Sequence, residues 1–198
     1  MSADILNLDG QKVSTNEMGE LVMRKSSIGL TKSLWNDDKR YIDNYWSVIK
    51  DYWVHGDLAS RDADGHWYLH GRSDDTIKVS GKRIGPSELE SVIVKSGKAK
   101  EVAAVGIPDE NKGSKIILSI VPAENNDQKE SFFEDLVIKD LGKSFKPDKV
   151  IFVKDLPKTR NMKIMRRVIK SCLANQDPGD LSTLLNPESV EEIRSHAI

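Results

Sequence analysis

The chain has 198 residues and a single cysteine, Cys172, so it can form neither an internal disulfide nor a cysteine-built metal cluster. The apolar flank of Cys172 predicts a buried structural thiol rather than a reactive one. No apolar run approaches the roughly 18 residues needed to span a bilayer. Met1 opens no basic-plus-apolar secretion signal, so a reducing cytoplasmic setting and no membrane partner are expected. The histidines His55, His66, His70 and His196 lack the spacing of a metal site. A serine/threonine- and glycine-rich phosphate loop is missing, as are the usual glycine-rich nucleotide fingerprints. Charge of one sign is also scarce: 30 Lys+Arg stand against 31 Asp+Glu, a net charge of −1. That balance argues against wholesale polyanion binding and leaves room only for a local basic patch.

What is present is a globular composition, 38% hydrophobic and 31% charged, with enough apolar material for a core. All four tryptophans, Trp35, Trp46, Trp53 and Trp67, lie within about the first third. They are expected to be packing anchors, because large aromatics dominate core burial. Residues 1–53 read as the end of a larger body. They offer a strand at Gly19–Met23, a loop at Ser26–Leu34 and a helix at Asp37–Trp46, where Tyr41 and Tyr45 share a face. Two strands, Asp57–Ser60 and Trp67–His70, follow as a hairpin joined through an Asp-Gly turn.

After that hairpin the aromatic clustering stops and strands alternate with helices. The periodicity predicts strands at Thr76–Val79, Val102–Ile107, Ile116–Val121 and Val150–Val153. It predicts helices at Pro86–Lys95, Glu130–Leu141 and Lys163–Ala174, with a polar loop at Pro122–Gln128. Leu181–Ile198 reads as an acidic tail ending in a loosely packed helix. The fold class is therefore α+β: residues 74–198 form a small domain with a mixed sheet flanked by helices, preceded by a β-rich remnant over 1–73.

Three stretches can carry chemistry. His55-Gly56-Asp57 sets a carboxylate beside a glycine at a strand. Gly71–Glu90 packs Arg72, the carboxylates Asp74 and Asp75, a strand, the bend Ser80-Gly81-Lys82-Arg83 and the helix start Gly85-Pro86 into 20 residues. Leu156–Ile164 carries Lys158, Arg160 and Lys163. From the residues alone each has a plain alternative. Asp57 could be a solvated turn residue, Arg72 a surface ion pair with Asp74 or Asp75, and Asp74 a turn or helix cap. Lys82 and Arg83 could be solvated, and Lys163 one cation on a basic helix face.

In this order and at these separations, the three stretches resemble the motifs of the adenylate-forming enzymes, the superfamily of acyl-CoA synthetases, luciferases and peptide-synthetase adenylation domains. The resemblance covers nearly the whole chain, and the tail from Gly179 to Val190 is most like that of acetyl-CoA synthetases. It implies an AMP-forming acid–thiol ligase that uses ATP, a carboxylic acid and coenzyme A. The residues 1–73 would be the end of its large N-terminal AMP-binding domain, and 74–198 its mobile C-terminal domain. Asp57, Arg72 and Arg83 would hold the nucleotide and Asp74 would be the hinge. Ser80, Gly81 and Lys82 would meet coenzyme A, with Gly81 leaving room for the pantetheine arm.

Lys163 would be catalytic in adenylation, where a fixed ammonium offsets charge on the α-phosphate oxygens. It would also be the target of a lysine acetyltransferase and deacetylase. The acyl pocket, the adenine pocket and the Mg²⁺ site would lie in the rest of the parent protein, so the chain by itself is expected to be inactive. Asn161-Met162 stands where the family has Ser-Gly, which questions the backbone path before Lys163 and predicts slower docking of that loop. An enzyme that loads a carrier protein is one alternative. A polyanion-binding module is another, since Lys158–Lys170 holds six cations and no acid.

Overall fold

A computed structural model describes residues 2–25, 28–124 and 127–198. Ser26 and Ser27 of one expected loop, and Asn125 and Asn126 of the other, lie outside the described residues. The chain forms two compact units, Met1–Asp74 and Asp75–Ile198.

The first unit is a four-stranded antiparallel sheet in sequential order: β1 (Ala3–Leu6), β2 (Gly19–Met23), β3 (Trp53–Arg61) and β4 (Trp67–Arg72). Helix α1 (Asp38–Tyr45) precedes β3 and starts where the Asp37 side chain accepts from the Arg40 N–H at 3.2 Å. Its core is small, built on Leu6, Val22, Ile49 and Val54. Tyr41, Tyr45, Trp53 and His55 continue it as a ladder of rings 5.1–5.7 Å apart.

The tryptophans depart from expectation. Trp53 is buried and Trp46 half-buried, but Trp35 is 92% exposed and Trp67 40%. Trp35 sits in a loop, and no residue of β4 is buried, so a large apolar side chain there has no inner face to occupy.

The second unit is three layers deep. Its centre is a mixed sheet of β7 (Ala99–Asp109), β8 (Gly113–Pro122) and β9 (Lys149–Phe152), antiparallel between β7 and β8 and parallel between β8 and β9. Before it come the hairpin β5 (Ile77–Val79) and β6 (Lys82–Ile84), then α2 (Pro86–Lys95). Helices α3 (Glu130–Leu141), α4 (Arg166–Leu173) and α5 (Glu188–Arg194) complete the unit. Strand residues alternate between faces. Val102, Ala104, Ile116, Leu118 and Ile120 pack with Ile77, Ile84, Leu89, Ile93 and Phe133. Ala103, Val105, Ile107 and Ile117 pack with Leu156, Val168, Ile169, Cys172 and Ile193. Hence β5, β6, α2 and α3 cover one face of the sheet, and α4 and α5 the other.

Two expected elements differ. Helix α4 begins at Arg166, not Lys163, because Met162 takes a left-handed φ of +61° and Lys158 bridges to Ile164 across a tight turn. The tail is firmly packed. Val190 and Ile193 are buried in the second cluster, and Asn186 is 7% exposed and hydrogen-bonded to the chain before α4. Cys172 is fully buried, and that burial pushes its thiol pKa up.

Candidate active-site surfaces

The described residues place the candidate side chains in three groups. The first lies in the N-terminal unit. Asp57 on β3 pairs across the ladder with Arg72 on β4. The Arg72 guanidinium lies 3.7 Å from the Asp57 carboxylate and 3.1 Å from that of Asp74, and it donates to the His55 carbonyl at 3.3 Å. His55 Nδ1 is 2.7 Å from the other Asp57 oxygen. Gly56 makes this approach possible. Its φ is +83°, and a Cβ there would sit 2.7 Å from Arg72 Nη2. A cavity of about 290 Å³ opens beside the group, lined by Glu20, Asn44, Tyr45, His55, Arg72 and Asp74. A half-buried carboxylate next to a guanidinium fork suits vicinal hydroxyls and phosphate oxygens. Asp74 is the last residue of its unit and largely exposed.

The second group is the tip of the β5–β6 hairpin. The register pairs Val79 with Lys82, leaving Ser80 (φ +50°) and Gly81 (φ +81°) as a two-residue turn with both φ positive. A side chain built on Gly81 would meet nothing within 4 Å, so the tip's backbone is open to a ligand. Lys82 donates to Ser144 Oγ at 3.1 Å and lies 6.0 Å from the Phe145 ring centre; Arg83 is exposed opposite Lys78. The sequence reading saw a cationic bend here and missed β6. The Ser-Gly pair between Val79 and Ile84 was the available signal. It also missed a cavity of about 430 Å³ beside Ser80, with Lys112, Lys143, Ser144, Lys146 and Asp148 in its wall. Those residues come from three separate loops, which no linear motif records.

The third group is the turn bearing Lys163. The Thr159 N–H donates to the Lys163 carbonyl at 2.9 Å, the Met162 N–H to the Thr159 carbonyl at 2.8 Å, and the Lys163 N–H to Thr159 Oγ1 at 3.2 Å. Lys163 is exposed, and among the described residues its ammonium has no ion-pair partner. The other cations of the run are differently used. Lys158 is buried against Glu101 and Asp155, Arg166 pairs with Glu90, and Arg167 donates to the Pro178 and Asp180 carbonyls. Three of the six cations of the run are thus committed to partners within the chain, while Arg160, Lys163 and Lys170 are exposed.

The Lys163 turn joins the layer of α4 and α5, whereas the Ser80-Gly81 tip belongs to the layer of α2 and α3. The two sit on opposite faces of one sheet. Elsewhere, Asp62, Asp64 and His66 bring ligand atoms within 4.8 Å of one another in the exposed β3–β4 loop. There Asp62 already accepts hydrogen bonds from the His66 N–H and the Tyr68 hydroxyl.

Residues 88–163 match the family of AMP-binding enzyme C-terminal domains. Over 199 residues the chain is 40% identical to acetyl-coenzyme A synthetase of Methanothrix thermoacetophila, covering 97% of this chain and 30% of that protein. The acetyl-coenzyme A synthetase of Helicobacter pylori is also 40% identical, over 98% of this chain and 31% of its own length. The chain thus spans about 30% of the length of the curated relatives it matches. Acetoacetyl-CoA synthetase from Streptomyces lividans shares the fold, with a TM-score of 0.86 over 98% of this chain and 30% of that one at 22% identity. An amide bond synthetase from Marinactinospora thermotolerans gives a TM-score of 0.74 over 85% of this chain and 34% of its own, at 25% identity.

Proposed function

Because the chain belongs to the adenylate-forming enzymes and carries their C-terminal domain, we propose that it is the C-terminal part of an ATP-dependent acyl-CoA synthetase whose acid is acetate. Residues 1–73 complete the large AMP-binding domain, and 74–198 form the mobile one. The setting is the cytoplasm, and Mg²⁺ accompanies ATP through residues outside this chain. Two observations support the reading: the identity to acetyl-CoA synthetases along nearly the whole chain, and the attachment of two candidate surfaces to opposite faces of one sheet.

We give the residues the roles that the resemblance implies, and that geometry supports them. Asp57 accepts hydrogen bonds from the ribose hydroxyls, while Arg72 steadies Asp57 and reaches the nucleotide. In the first step Lys163 brings its ammonium to the α-phosphate, where negative charge builds as the carboxylate attacks and pyrophosphate leaves. The domain then turns at Asp74, withdrawing Lys163 and presenting Ser80–Arg83. Gly81 lets the pantetheine arm pass, and Lys82 and Arg83 offset phosphate charge as the thiol attacks the acyl carbonyl and AMP departs. Alternation lets two faces of one small domain serve one site in succession. Acetylation of Lys163 by a lysine acetyltransferase, reversed by a deacetylase, would switch off the first step only.

The test is to assay each half-reaction of the full-length enzyme that carries this chain. Lys163→Ala should lower acid-dependent ATP–pyrophosphate exchange by roughly 10²–10³ and leave consumption of supplied acyl-adenylate by coenzyme A intact. Retained exchange would refute the role of Lys163. Loading of a carrier protein in place of free coenzyme A would favour the other adenylating class. The 198-residue chain alone should catalyse neither step.

A further inference from the structure

The turn that carries Lys163 is held at both ends by an ion-paired cation, buried Lys158 before it and half-buried Arg166 after it, and both cations lead to the same strand. Lys158, five residues before Lys163, is 6% exposed. Its ammonium lies 2.7 Å from Glu101 on β7 and 2.6 Å from Asp155. Arg166, three residues after Lys163, donates to Glu90 through Nε at 2.8 Å and Nη2 at 2.6 Å. Glu90 Oε1 also accepts the N–H of Ala104 on β7 at 3.0 Å.

Asn186 from the tail adds a third tie. Its amide donates to Asp155 Oδ2 at 2.7 Å and to the Leu156 carbonyl at 2.8 Å, and its oxygen accepts the Lys158 N–H at 3.0 Å. The Leu185 N–H reaches the Lys158 carbonyl at 2.8 Å.

Burying an ammonium is costly, and apolar side chains of similar volume would serve stability as well or better. Ionic anchors are directional, however, and they fix where each arm of the turn leaves the sheet. Between those anchors, only five residues from 158 and three from 166, Lys163 has little freedom except in its own side chain. A reacting phosphate tolerates little displacement of its counter-charge, since a misplacement of about 1 Å costs on the order of a hundredfold in rate.

We propose that Lys158 and Arg166 are positioning residues for Lys163, clamping the two arms of its turn onto β7, with Asn186 as the tie that closes the clamp. The proposal rests on the adenylation role given to Lys163 above. A purely structural pair would lower both half-reactions together when cut; a clamp lowers only the one that uses Lys163.

The full-length enzyme with Lys158→Met or Arg166→Met is therefore assayed for both half-reactions. ATP–pyrophosphate exchange is expected to fall about ten- to a hundredfold, with coenzyme A-dependent use of supplied acyl-adenylate unchanged. Equal losses in both, or unaltered exchange, overturn the clamp. Hydrogen exchange covers the case of a variant that folds poorly. In this chain, Asn186→Ala should speed exchange at the amides of Thr159, Met162 and Lys163 about tenfold while β7, β8 and β9 keep their protection. Acceleration spread through the sheet, or none at the turn, overturns it. Lys163→Ala separates the two claims. Exchange lost there but kept in Lys158→Met refutes the clamp alone, and exchange kept in Lys163→Ala removes both.

Discussion

Glu90 and Arg166, 76 positions apart, form a two-pronged ion pair that joins α2 to α4 around the edge of the central sheet. The same carboxylate takes the Ala104 N–H of edge strand β7. Replacing Glu90 by alanine would strand a largely buried guanidinium and an edge N–H together. The expected loss is about 3 kcal/mol in the second unit. Urea unfolding followed by far-UV circular dichroism would measure it. Fluorescence would not, because every tryptophan and tyrosine lies in the first unit.

Met162 occupies a left-handed conformation, φ +61°, with its side chain mostly exposed. An L-residue pays roughly 1–2 kcal/mol there, and glycine pays almost nothing. Glycine also loosens the unfolded chain, by about 0.4–1 kcal/mol. Met162→Gly should therefore stabilise the second unit by about 0.5–1 kcal/mol in the same unfolding assay. In the full-length enzyme it should also speed adenylation, because a bulky side chain leaves the loop that we propose docks on the nucleotide. An unchanged rate would end the docking idea and leave the stability claim standing.

Helices α2 and α3 were legible to the residue, because their apolar stripes are long, and Gly85-Pro86 marks where α2 begins. Lys163 was misplaced onto a helix. Its neighbours Ile164, Met165, Val168 and Ile169 keep helical spacing, but the turn before them is imposed by the Lys158–Ile164 bridge and by Asn186. Such ties join residues up to 31 positions apart, as Asn186 to Asp155, and periodicity carries no trace of them. The basic run deceived for the same reason. Glu90 and Glu101, which neutralise Arg166 and Lys158, lie on other elements. Asp57 and Arg72 could be singled out by motif, while their pairing across the β3–β4 ladder came only with the register.

Ser119 sits at the middle of β8, fully buried, and its hydroxyl has no hydrogen-bond partner among the described residues. An unsatisfied buried hydroxyl costs about 1–3 kcal/mol. Ser119→Ala should raise the stability of the second unit by about 1 kcal/mol, with both half-reactions unaffected, since the residue reaches neither candidate surface. A loss of stability on this substitution would mean that the hydroxyl is bonded in solution.

Gly56 allows Arg72 to lie against the β3 backbone, and its φ of +83° suits no other residue well. Gly56→Ala adds a methyl 2.7 Å from the guanidinium and a backbone cost of roughly 1–2 kcal/mol. Arg72 must swing away, and Asp57 loses the guanidinium beside it while keeping His55. The expected results are a lower melting temperature for the first unit and, in the full-length enzyme, a raised KM for ATP. A normal KM with a lowered melting temperature would confine Gly56 to folding and remove Arg72 from the nucleotide site.

The Lys158 clamp also makes a pH prediction. Burial favours the neutral form of Asp155, but hydrogen bonds from Lys158, the Leu156 N–H and Asn186 outweigh it, holding the carboxyl below its usual 3.8. A depressed carboxyl pKa stabilises the fold above the unfolded value, and that contribution is lost as pH falls through the folded one. Lys158 shifts the other way. Burial opposes its charge, yet the bonds to Asp155 and Glu101 raise its pKa above 10.5, so its contribution persists at neutral pH and fades only in strong alkali. Carboxyl carbon shifts of Asp155 should therefore titrate with a midpoint below 3.8 in the wild type. In Lys158→Met the midpoint should move up, because burial then acts unopposed by the ammonium, and acid unfolding should begin at a higher pH. A wild-type midpoint at or above the ordinary carboxylate value would mean that Asp155 and Lys158 are not joined in solution.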